Sequence, residues 1–81
     1  MDPHSETKAR FSEKTVEQLA KMECPGLRFS SEGLSLTTEL LRIYVVEAAH
    51  RAAAQARAEG GQEVGVEHLE KILPQFLLDF L

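Results

Sequence analysis

From Ser30 to the Gly60-Gly61 pair no proline interrupts a helix-forming run, and this stretch constrains the chain more than any other. It predicts one helix of about 28 residues, roughly 40 Å long at ~1.5 Å per residue. Ser30 is suited to cap it, Glu32 puts a negative charge in the first turn where the helix dipole favours one, and Phe29 can staple onto Leu34. The two glycines then stop it.

The pattern within this helix is unusual. At about 100° per residue, Leu34, Leu36, Leu40, Leu41, Ile43, Tyr44, Val45, Ala48 and Ala52 spread over about 200°, where a surface helix shows an apolar stripe little wider than ~100°. One neighbouring layer cannot cover that arc. Ser35, Thr38, Glu39, Arg42 and His50 form the polar strip. Glu47 and Arg51 fall inside the apolar arc at i,i+4 spacing, which predicts a pair with each other or with charges on a neighbouring chain. Ala52, Ala53, Ala54, Ala56 and Ala58 favour helix and keep the far end thin enough for another helix to approach closely.

Shorter elements flank this rod. With Ser12 as cap, Phe11 and Val16 take the hydrophobic-staple positions of a first helix whose narrow stripe is Val16, Leu19, Ala20 and Met22. Pro25-Gly26 ends it, and residues 23–29 form a loop carrying Arg28. Beyond Gly61, Glu63-Val64-Gly65-Val66 suits a single extended crossing. A third helix follows, with Val66, Leu69, Ile72, Leu73, Phe76, Leu77 and Phe80 on its apolar side. Pro74 lies inside it, which predicts a kink or a break with Pro74 opening a last short helix. Residues 1–10 show no apolar period and read as a flexible tail with Lys8 and Arg10; residues 11–81 read as the folded domain.

Composition narrows the class further. A chain of 81 residues buries only roughly 60% of what it exposes when unfolded, so disulfides, a metal or a partner are usually needed. Cys24 is the only cysteine, which closes the disulfide route and fits a reducing compartment, the cytosol or nucleus. Met1 to Glu6 is polar and acidic and does not read as a signal peptide, and no apolar run approaches the ~20 residues of a membrane span. The net charge is −4, yet basic and acidic residues balance through Ala58. The excess belongs to the last third, where Lys71 stands alone against Glu59, Glu63, Glu67, Glu70 and Asp79. Such asymmetry permits a basic edge at one end and an acidic, partner-facing or solvent-facing end at the other.

Two stretches carry a family resemblance. Glu39-Leu40-Leu41-Arg42-Ile43-Tyr44-Val45-Val46-Glu47-Ala48-Ala49 and Leu69-Glu70-Lys71-Ile72-Leu73-Pro74-Gln75-Phe76-Leu77-Leu78-Asp79-Phe80 resemble the corresponding parts of the centromere protein X family, over residues from about 27 to 80. The resemblance implies an all-α histone fold: short helix, long central helix, short C-terminal helix. It also implies pairing with centromere protein S in a handshake of crossed central helices, and two such pairs forming a heterotetramer. That assembly is implied to bind double-stranded or branched DNA, to support the Fanconi anaemia group M protein at stalled forks, and to join the centromere protein T and W pair at the kinetochore. The compartment implied is the nucleus, on chromosomes at the centromere.

Carried onto this sequence, the DNA side of a histone fold selects Lys8, Arg10 and Lys14 around the first helix, Arg28 in the loop, and Ser30 at the start of the central helix. The bland alternative is ordinary surface charge. No aromatic-rich or Arg-rich run suggests base readout, so contacts would be to the backbone and sensitive to salt. The partner interface is expected at Leu36, Leu40, Leu41, Ile43 and Tyr44, with Leu73, Phe76 and Phe80; the alternative is an internal three-helix core. His4, His50 and His68 have no Cys or carboxylate at zinc-ligand spacing, Gly60-Gly61 and Gly65 lack the lysine of a phosphate loop, and Cys24 has no positioned base. The expectation is therefore no enzyme, no cofactor, no metal, no membrane and no small-molecule substrate. A histone-fold scaffold binding mainly proteins, and an adaptor folded as a lone helical bundle, are the competing readings.

Overall fold

The computed structural model describes residues 10–81, which form three helices and no strand: α1 (Glu13–Glu23), α2 (Ser31–Ala58) and α3 (Val66–Asp79). The chain divides into two compact units between Ile43 and Tyr44, so α2 supplies Ser31–Ile43 to the first and Tyr44–Ala58 to the second.

In the first unit both helix starts are capped as the sequence predicts. The Ser12 side chain accepts from the Thr15 N–H at 3.2 Å, and Ser30 Oγ accepts from the Gly33 N–H at 2.9 Å. Each satisfies one of the N–H groups that a helix start leaves open, worth about 1 kcal/mol. Helix α1 ends as Cys24 N–H bonds Ala20 C=O at 2.9 Å, and Gly26 turns the chain at φ 88°, a region that only glycine enters freely. Ser35 Oγ donates to a Glu13 carboxylate oxygen at 2.9 Å, bringing the start of α1 against the second turn of α2.

Thr38, placed on the polar strip by periodicity, is buried, and its hydroxyl donates to Leu34 C=O at 2.8 Å. A threonine that bonds its own helix backbone carries no orphan donor inward, so it can be covered where a charged side chain could not.

In the second unit α2 ends in a two-bond cap. Gly61 N–H reaches Ala56 C=O and Gly60 N–H reaches Arg57 C=O, both at 2.9 Å, with Gly60 at φ 85°. This is the Schellman arrangement, which needs the left-handed conformation that glycine supplies. Ala52 and Ala56 are each only 1% exposed, so the alanine-rich end of α2 does admit close packing, as its thinness predicts.

Pro74 opens no separate helix. α3 runs unbroken from Val66 to Asp79 with the proline inside it. The proline removes a single backbone donor, while side chains on either side of it hold the helix in place: Lys71 to Glu59 before it, and Phe76, Phe80 and Asp79 to residues of α2 after it.

Candidate functional site

The basic residues chosen from sequence all belong to the first unit, apart from Lys8, which lies outside the described residues. Arg10, Lys14, Arg28 and Ser30 are exposed. Among the described residues, Arg10, Lys14 and Arg28 make no ion pair, whereas Arg42 is held by Glu39 through Nε at 3.0 Å and through a further guanidinium contact. That hydrogen bonding to Glu39 raises the Arg42 pKa further. Arg42 is therefore occupied, and the other three cations remain available. Ser30 accepts from Gly33 N–H, which leaves its own O–H proton free to donate to an anion near Arg28. Glu13 and Glu32 stand in the first turns of the same two helices, so the positive field at this end is modest.

The apolar residues fall into two groups. In the first unit Leu36, Leu40, Leu41 and Ile43 point into solvent, with Leu36 63% and Leu40 47% exposed. Covering side chains of this size from such exposure is worth about 1 kcal/mol each, and no described residue covers them fully.

In the second unit the structure brings Tyr44, Phe76 and Phe80 together as an aromatic cluster. Tyr44 meets Phe80 edge-on at 4.6 Å between ring centroids and Phe76 at 6.5 Å, while Phe76 and Phe80 stand 4.8 Å apart. These separations lie in the range where ring edges and faces attract. Tyr44 and Phe80 keep more than a third of their surface open, as does Leu73, a turn earlier on α3. The cluster is thus assembled and still accessible.

Arg51 braces it. Its guanidinium lies 5.4 Å from the Phe76 ring centroid, bonds Glu47 at 2.7 Å and pairs with Asp79 at 2.7 Å. Hydrogen bonds from Gln75 and then Arg51 hold the Asp79 carboxyl below its ordinary range, and the bonds to Glu47 and Asp79 raise the Arg51 pKa further. The sequence pointed to the Glu47 pair; the reach to Asp79 and the seat over Phe76 have no signal at the level of spacing.

His68 is the other residue that sequence reading undervalued. It is buried, and its Nδ1 accepts from the Gly65 N–H at 2.8 Å. This is the return half of a capping box, with histidine in the place usually taken by Glu or Gln; the Gly65-to-His68 spacing was the available signal. Nδ1 therefore carries no proton, and Nε2 faces Glu59 at 3.6 Å. Glu59 also accepts from Lys71 at 2.6 Å and Gln55 at 2.7 Å, and these bonds, Lys71 first, hold its carboxyl below the ordinary range. Among the described residues no group of three His, Cys, Asp or Glu is placed to hold a metal ion, and no helix is long and apolar enough to cross a membrane.

A short helix, a capped 28-residue central helix with apolar residues turned outward, and a 14-residue third helix make this an all-helical histone-fold protein. A family model described as "CENP-S associating Centromere protein X" matches residues 13–80, and the chain belongs to that family. Centromere protein X of Gallus gallus is 45% identical over 78 residues, covering 94% of this chain and 98% of the relative. That of Bos taurus is 48% identical over 77 residues, covering 93% and 98%, and that of Homo sapiens 53% over 53 residues, covering 65% of each. The family is one of structural, histone-fold centromere proteins, and the match reaches back through α1, beyond the stretch where the motifs resemble it most.

Proposed function

We propose that this chain is a DNA-binding histone-fold subunit that pairs with centromere protein S, and that two such pairs form a heterotetramer. Its place of action is the nucleus, on chromosomes at the centromere and kinetochore. The heterotetramer serves kinetochore assembly beside the centromere protein T and W pair. With the Fanconi anaemia group M protein it also serves DNA repair and the maintenance of stalled forks.

The observation that carries this reading is the outward-facing apolar side of α2, Leu36, Leu40, Leu41 and Ile43, on a chain whose family is described as associating with CENP-S. A second histone-fold chain crossing the central helix is the kind of partner that a long, broad apolar face requires. The second unit offers Tyr44, Leu73, Phe76 and Phe80 to the same end. Arg10, Lys14, Arg28 and Ser30, with Lys8 ahead of them, are proposed to meet double-stranded or branched DNA at its phosphates, for which unpaired cations beside a helix start are suited. At a net charge of −4 this chain supplies the minor part of the attraction and its partner the larger.

Co-expression with a centromere protein S homologue tests both halves. The expected result is a soluble complex of defined mass whose DNA affinity falls steeply as salt rises. A compact, cooperatively melting monomer of the isolated chain would sink the pairing. A complex that binds no DNA at low salt would leave a scaffold that binds proteins.

A further inference from the structure

Helix α3 has a second apolar face that the second unit does not use. His68 is buried and Ile72 and Phe76 are half-buried, so the stripe at i, i+4, i+8 turns inward. Pro74, Leu77 and Leu78 follow i, i+3, i+4 and lie about 170° around the helix from that stripe, at ~100° per residue. All three are exposed, Leu77 by 55% and Leu78 by 60%. An apolar stripe directed away from the packed side of its helix marks an interaction site more readily than scattered surface leucines do.

The same stripe continues toward the helix start as charge. Glu70 and Glu67 share this outer side, about two and three turns before the leucines. The other carboxylates around α3 are already answered: Glu59 by Lys71 and Gln55, Asp79 by Arg51 and Gln75. Glu70 has no partner among the described residues. Glu67 comes only within 3.8 Å of His68 Nδ1, which already accepts from Gly65 N–H and so offers no proton. Apart from Glu63 in the loop before α3, the carboxylates left without a partner in this unit share the side of the helix that also carries the open leucines.

We propose that this outer face of α3 docks a cationic, amphipathic helix of another protein, with Lys or Arg meeting Glu67 and Glu70 and aliphatic side chains covering Leu77 and Leu78. The face from residue 67 to 78 rises about 17 Å, which fits a partner helix of roughly three turns. Nucleic acid and anionic lipid are turned away by the carboxylates, and a second copy in parallel would set Glu67 and Glu70 against their own kind. The proposal goes beyond the pairing described above and does not depend on it.

The test uses the full chain, alone and co-expressed with its histone-fold partner, titrated with a synthetic model helix bearing lysines on its first half and leucines on its second. The expected result is amide shifts centred on Glu67, Glu70, Leu77 and Leu78. Affinity should drop at least tenfold when the lysines are replaced by glutamates or when the protein carries Glu67→Gln with Glu70→Gln, and Leu78→Asp should abolish binding. Four results overturn the proposal: equal binding of the glutamate helix, shifts centred on Leu36 and Leu40, self-association of the chain removed by Leu78→Asp, or a lysine helix that binds the lone chain and not the assembled pair. Failure of the chain to pair leaves the titration of the lone chain intact, so the two readings fail separately.

Discussion

The two units satisfy their own side chains to different degrees. In the first, Val16 and Thr38 are buried while Leu36 and Leu40 face water, and α1 is joined to α2 by the polar Ser35 to Glu13 bond. In the second, Ala52 and Ala56 are covered almost completely, three aromatic rings meet, and Arg51, Glu59, Lys71 and Asp79 form ion pairs. The difference teaches where stability originates. The second unit is braced by ring contacts and ion pairs among its own residues, yet both units leave large apolar side chains open, Leu36 and Leu40 in the first and Leu73, Leu77 and Leu78 in the second.

The strongest way to break the comparison is Leu40→Asp. A carboxylate on the open side of α2 leaves the isolated unit little changed but should cost about 3 kcal/mol of pairing, on the order of a hundredfold in Kd. If the variant still co-purifies with a histone-fold partner, the interface lies elsewhere. Ala52→Leu probes the opposite property. At 1% exposure the extra methylenes have no room, and overpacking should remove about 2 kcal/mol, read as a lower Tm of the assembled protein. An unchanged Tm would mean that the α2 and α3 packing is looser than described.

Acid should separate the units as well. Glu59 and Asp79 have folded-state pKa values lowered from ordinary values of 4.5 and 3.8. A lowered carboxylate contributes stability that is fully present above its ordinary value and is lost as pH falls through the folded one. Amide exchange in Tyr44–Leu81 should therefore accelerate as pH is lowered below about 4.5, after correction for the intrinsic exchange rate, and Glu59→Gln with Asp79→Asn should flatten that dependence. A slope that survives both substitutions assigns it to other groups. The smallest effect is expected from Arg28→Ala: pairing unchanged, and the salt dependence of DNA binding reduced by about one phosphate contact. Identical salt curves would remove Arg28 from the DNA side.

Much of this was legible in order along the chain, because it depends on neighbours in sequence. The Ser12 and Ser30 caps, the Gly60-Gly61 stop, the length of α2 and the Glu47 to Arg51 pair are set by local backbone chemistry and helical periodicity. Misreadings arose where a residue's partner is distant or its role is tertiary. Thr38 looked polar and is buried because its hydroxyl turns to Leu34; Pro74 reads as a kink or a break, and of these the break does not occur because the helix is anchored on both sides of it. The candidate interface was legible by type, since a 200° apolar arc on about 40 Å of helix already demands cover.

The amino-acid order by itself determined three helices, their caps and stops, and a central rod too apolar to stay bare, since these follow from helical periodicity and from bonds spanning five residues or fewer. Only the tertiary structure decided that Arg51 would sit over Phe76 and bind Asp79, that Tyr44 would meet Phe80, and that Leu77 and Leu78 would be left outside. Those outcomes depend on which face of α3 lies against α2, and periodicity marks the faces of a helix without naming their neighbours.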